Sequence, residues 1–140
     1  MNRLLAACLA LCLTVPAWAQ DPVSSEDRAS IQGVITRQLE AFRQDDAGAA
    51  FAFATPELQA RFGTAERFLD MVRRAYKPVY RPRVAEFSEL ARQDGVLVQE
   101  LELVGPQGET VLALYTMEPD GAGGWRISAC VLIPSVRVGV

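Results

Sequence analysis

The hydrophobic repeat of this chain changes once, near Val84, from steps of three and four to a step of two. That change limits the fold more than any composition figure, because a helical stripe cannot also serve as a strand face. Upstream, Ile31, Val34, Ile35, Leu39 and Phe42 mark one side of an amphipathic helix. Ser24 or Ser25 can cap it, with Glu26 and Asp27 favourable in its first turn. Asp45-Asp46 ends it, and Asp46 can cap a short Ala- and Phe-rich helix over residues 47–54. Thr55-Pro56 is a second start signal, Gly63 a stop, and Thr64 the cap of a helix carrying Phe68, Met71, Val72, Ala75 and Tyr76. Pro78 and Pro82 are expected to end helical structure.

Downstream, residues 96–104 alternate, with Leu97, Leu101 and Leu103 on one face and Glu100 and Glu102 on the other. Residues 111–117 and 125–133 read as two more strands, separated by a Gly-rich turn. The last is expected to hold Trp125, Ile127, Ala129, Val131 and Ile133 on one face. A weaker strand covers about residues 84–90, before Asp94-Gly95. Helices followed by an antiparallel meander predict an α+β domain, with the helices packed on one face of the sheet.

Two positions break their own pattern. Gln38 sits in the middle of the first helix's apolar stripe, and Gln99 lies in the leucine row of a strand. A buried amide must find hydrogen-bond partners. Two interior amides on different elements therefore suit either a ligand pocket or the satisfaction of nearby backbone groups.

The N-terminus points to export. Arg3 precedes an apolar run over residues 4–15, Pro16 breaks it, and Ala17-Trp18-Ala19 fits a signal-peptidase site. The run is short of the roughly twenty residues a spanning helix needs. Residues 1–19 are read as a signal peptide, cleaved between Ala19 and Gln20, with a periplasmic or secreted product and no membrane contact afterwards. Residues 20–30 form a short leader and helix start, 31–134 a single domain, and 135–140 a tail. Leu5-Ala6-Ala7-Cys8 resembles a lipobox, but cleavage there would leave too short an apolar segment.

Composition closes several chemistries. Histidine is absent, which removes a His-based triad, a His zinc site and His acid–base catalysis. Of the three cysteines, Cys8 and Cys12 lie in the signal. Cys130 alone remains, so no internal disulfide is expected, and its apolar strand suits a small buried hydrophobe. The basic run Arg73, Arg74, Lys77, Arg81 and Arg83 reads as a solvated helix end, not a nucleic-acid surface. No metal site and no cofactor are expected.

Several strings have a familiar look: Gln38-Leu39-Glu40-Ala41-Phe42, Asp45-Asp46, Ala54-Thr55-Pro56 and Arg61-Phe62-Gly63-Thr64. They continue through Phe68-Leu69-Asp70-Met71-Val72, Tyr76-Lys77-Pro78-Val79-Tyr80, Gln99, Tyr115-Thr116-Met117 and Trp125-Arg126-Ile127. On these the chain resembles the DUF4864 family of bacterial proteins of unknown function and, more distantly, the NTF2-like, cystatin-like cone fold. The resemblance spans about residues 31–132 and implies N-terminal helices on a curved antiparallel sheet of about four strands. The family supplies no catalytic residues. The wider superfamily holds isomerases, dehydratases and non-catalytic modules, so fold does not settle function.

The expected role is non-catalytic binding of a small polar ligand or a protein partner, with Gln38, Tyr76, Tyr80, Gln99 and Tyr115 as candidate binding residues. One alternative is a lyase or isomerase pairing Asp45 or Asp46 with Tyr76, Tyr80 or Tyr115 for proton abstraction beside a carbonyl. Another is a homodimer through the exposed sheet face, with Trp125 and its neighbours supplying the patch.

Overall fold

The computed structural model describes residues 22–135. The signal segment, its cleavage point, Cys8 and Cys12, and residues 136–140 of the tail lie outside the described residues.

Among the described residues five helices precede four strands: α1 (Ser25–Arg43), α2 (Ala47–Ala52), α3 (Pro56–Phe62), α4 (Ala65–Ala75), α5 (Lys77–Tyr80), β1 (Val84–Gln93), β2 (Val96–Val104), β3 (Thr110–Pro119) and β4 (Trp125–Pro134). Side-chain oxygens start the first four. Ser24 accepts from Asp27 N, Asp46 from Ala49 N, Thr55 from Leu58 N and Thr64 from Arg67 N. Pro78 does not end helical structure as expected. It sits in the first turn of α5, where its missing N–H removes no intrahelical bond.

The strands form one antiparallel sheet in the order β1-β2-β3-β4, and the helices cover one face. The fold is therefore α+β, with N-terminal helices on an open four-stranded sheet. Asp94 and Gly95 join β1 to β2 with φ of 50° and 81°. Two successive positive φ values suit the right-handed strand twist, and an Asp-Gly pair tolerates them. The core runs from Ile31, Ile35 and Phe42 of α1 through Leu101 and Leu103 to Ala113, Met117 and Ile127, all nearly sealed from solvent.

One expectation about the last strand fails. Thr116 faces Ala129 while Met117 faces Ile127, so Ser128 is an extra residue in β4. The alternation therefore reverses. Trp125 and Ile127 face the helices, and beyond the bulge Cys130 and Leu132 do so. Val131 and Ile133 turn outward, 54% and 43% exposed. A second bulge lies in β1, where Ser88 and Glu89 stand between the Phe87–Leu101 and Leu90–Gln99 pairs. Irregular backbone covers part of the free β4 edge, with Ile127 N donating to Phe53 O and Thr55 N to Ile127 O, both at 2.9 Å.

Candidate functional site

Gln38 is 3% exposed, as its place in the stripe predicts, and its Nε2 donates to Ala50 O at 3.1 Å. The reason lies in α2. The last four carbonyls of any α-helix lack intrahelical donors, and α2 is only six residues long. Its end is served from outside. Gln59 Nε2 donates to Phe51 O and Ala54 O, Arg126 donates to Ala52 O and Ala54 O, and Gln38 supplies the buried Ala50 O. Because that partner is an acceptor, the orientation of the Gln38 amide is fixed, and Oε1 is left as an acceptor.

Beside that amide a cavity of about 100 Å³ opens between the helices and the sheet. Its walls are mainly apolar, built from Phe42, Phe68, Val72, Val79 and Ile127. The lining residues that are half-buried and also reach solvent are Leu58, Phe62, Met71, Tyr76 and Cys130. Four residues bring polar atoms: Gln38, Tyr76, Tyr115 and Cys130. None of the lining residues is charged.

These four differ in what they have left to offer. The Tyr76 hydroxyl donates to Cys130 O at 3.1 Å, which ties the junction of α4 and α5 to β4. Tyr115 is 1% exposed, and its hydroxyl makes no hydrogen bond with any described group. Its cross-strand neighbour is Cys130, whose thiol lies close enough for the two groups to perturb each other. A thiol is a weak hydrogen-bond partner: the contact is close enough for a Tyr115–Cys130 side-chain hydrogen bond to shift both groups, but it falls short of full hydrogen-bond geometry. Burial raises the Tyr115 phenol well above its ordinary range and pushes the Cys130 thiol up to about 12. Tyr76 is raised more modestly, again mainly by burial. At neutral pH the cavity thus presents neutral groups only, and Cys130 is a thiol and not a nucleophilic thiolate.

The remaining candidates lie elsewhere. Gln99 is fully buried but serves the β1 bulge. Its Nε2 donates to Glu89 O at 3.2 Å and to Glu100 O at 2.8 Å, while its Oε1 accepts from Gln32 at 3.3 Å. Tyr80 sits at the surface and donates to Asp45 Oδ1. Arg81 completes that cluster: its guanidinium stacks 3.9 Å over the Tyr80 ring, bonds Asp45 Oδ2 at 3.3 Å, and donates to Phe42 O at the end of α1. The Tyr80 hydrogen bond, with Arg81 and Arg73 beside it, lowers the Asp45 carboxyl below its usual range. Asp45 also takes a φ of 52°, a left-handed turn after α1 that aspartate tolerates better than most residues. Asp46 caps α2. Neither carboxylate lines the cavity, so the Asp–Tyr pair proposed for proton abstraction forms only at the surface, away from Tyr76 and Tyr115. The expected dimer patch also changes hands, because Trp125 packs inward and donates to Asp27, while Val131 and Ile133 occupy the outer face.

The sequence suits Cys130 and Phe68 to core packing and marks neither of them, nor Phe62, as a site residue. All three line the cavity. Helical spacing marked Phe68 as inward-facing, but no local signal showed which rings would meet around an opening.

A family model described as a domain of unknown function, DUF4864, matches residues 24–139. The match begins at the N-cap of α1 and spans the whole described domain. No curated protein and no solved structure matches the chain.

Proposed function

The chain belongs to the DUF4864 family, and we propose that it is an exported, non-catalytic protein that binds a small ligand in the cavity between its helices and its sheet. One observation carries this reading: an apolar cavity of about 100 Å³, lined by Gln38, Tyr76, Tyr115 and Cys130 among its apolar walls and by no charged residue, opens between the helices and the sheet. The export half of the reading rests on the sequence of residues 1–19. Helices closing one face of a meander around such a cavity also fit the NTF2-like cone that the sequence suggested.

Size limits the ligand. A water needs only some 10–15 Å³, and an apolar cavity of about 150 Å³ holds benzene. At about 100 Å³ with an open mouth, this cavity suits a compact molecule or one end of a longer one. The lyase or isomerase alternative lacks a carboxylate at the cavity and is the weaker reading. The homodimer retains one supporting observation, the outward-facing Val131 and Ile133.

Native mass spectrometry of protein recovered from the exported fraction tests both readings at once. We expect a monomer of which part carries one small non-covalent adduct. The adduct should disappear in Val72→Phe, whose ring fills the cavity from a wall that is 3% exposed. An adduct that survives this substitution, or spectra free of adduct in both proteins, would overturn the ligand reading. A dimer mass would favour the sheet-face alternative.

A further inference from the structure

We infer that the cavity takes a small, mainly apolar ligand that brings a hydrogen-bond donor, an O–H or N–H, to the side-chain oxygen of Gln38. This rests on the ligand-binding reading above and narrows it to a chemical class.

The polar side chains of the lining are not equally open to a ligand. The Tyr115 hydroxyl is sealed from solvent and lies against the Cys130 thiol, so nothing in the cavity reaches it. The Tyr76 hydroxyl already donates to Cys130 O. Gln38 Nε2 already donates to Ala50 O. Gln38 Oε1 is different. Among the described residues no donor meets it, and it is not sealed as the Tyr115 hydroxyl is. Gln38 is only 3% exposed, so the opening its oxygen reaches is the cavity the residue lines.

The surroundings turn this oxygen into a requirement. The bond to Ala50 O holds the amide in one orientation, so the acceptor is in place before a ligand arrives. An amide oxygen accepts and cannot donate. A ligand that displaces solvent from it must therefore supply an O–H or N–H, or lose affinity by leaving it unmet. An ammonium would also donate, but the lining holds no carboxylate to pair with it, and a desolvated, unpaired ion is costly to bury. The donor accordingly belongs to a neutral group. Around it Phe42, Phe68, Val72 and Ile127 favour a carbon skeleton.

Pyrrole and furan test the inference. They are five-membered rings of nearly equal size, one with an N–H donor and the other with an ether oxygen in its place. Both are smaller than benzene, which an apolar cavity of about 150 Å³ holds. Binding to the purified protein is followed by NMR shifts of the Val72 methyls, in the native protein, in Gln38→Met and in Tyr115→Phe. The native protein should bind pyrrole about fivefold more tightly than furan. Gln38→Met keeps an unbranched side chain without the oxygen, and should abolish that preference. Tyr115→Phe should retain it. Equal binding of the two rings by the native protein would overturn the inference. So would a preference that survives in Gln38→Met or vanishes in Tyr115→Phe. The native comparison decides the matter alone if Gln38→Met does not fold. If neither ring shifts the Val72 methyls, the ligand-binding reading fails and the inference falls with it, whereas binding without preference overturns the inference only.

Discussion

Phe68→Ala should remove about 3–5 kcal/mol of folding stability, the largest single loss the fold predicts. Phe68 of α4 is 6% exposed, and its ring is where four helices meet. Its centroid lies 5.9 Å from Phe42 of α1, 5.4 Å from Phe51 of α2 and 5.2 Å from Phe62 of α3. These separations fall in the range where tilted and edge-on ring pairs add to the burial term. The ring is also a cavity wall, so its removal enlarges an opening that already exists, and the neighbours cannot collapse onto a void of that size. Urea denaturation monitored by circular dichroism measures the loss as a lower midpoint at unchanged slope. A loss below about 1 kcal/mol would mean that the helical layer does not depend on this cluster.

Gln38→Leu should cost about 1–3 kcal/mol, although it places an apolar residue on an apolar stripe. The substitution strands the carbonyl of Ala50, a residue with no exposed surface, at the end of a helix too short to satisfy itself. Leucine regains some burial, which sets the result toward the lower end of that range. The same denaturation experiment decides it. Unchanged or increased stability would show that Ala50 O finds another donor and that Gln38 faces the cavity for the ligand alone.

Both predictions begin from positions the sequence already marked, and their limits show what local pattern can carry. Ser24, Asp46, Thr55 and Thr64 were readable as caps because a cap is a short-range event, a side chain closing on an N–H three residues ahead. Gln38 and Gln99 were readable as interior because a periodic stripe fixes which way a residue faces. What each amide bonds to was not readable. Gln99 answers a carbonyl at the β1 bulge, and nothing in the residues around Ser88 and Glu89 announces a bulge there.

The same blindness displaced the face of β4. A strict step of two put Val131 and Ile133 with Trp125, and one extra residue at Ser128 sent them to the opposite side. The trace it leaves is a hydrogen bond from Ser128 Oγ to Thr116 O at 3.2 Å, which a serine in any strand could make. Tyr80 and Tyr115 make the point for the site. Both were plausible pocket residues by type. Tertiary packing gave Tyr80 an aspartate and two arginines at the surface, and left Tyr115 inside beside the Cys130 thiol alone among the described polar side chains it perturbs.

The account holds that the Tyr115 hydroxyl, on a residue lining the cavity, is the least compensated polar group of the core, and the unfolding free energy of Tyr115→Phe tests it most directly. Deleting the oxygen from a ligand-free protein removes a buried polar atom that nothing compensates, while the ring and its packing stay in place. The account predicts that stability holds or rises, by about 1 kcal/mol. A loss of about 1 kcal/mol or more would contradict it, because it would show that the Tyr115 hydroxyl is already well partnered within the fold, with the neighbouring Cys130 thiol the group at hand.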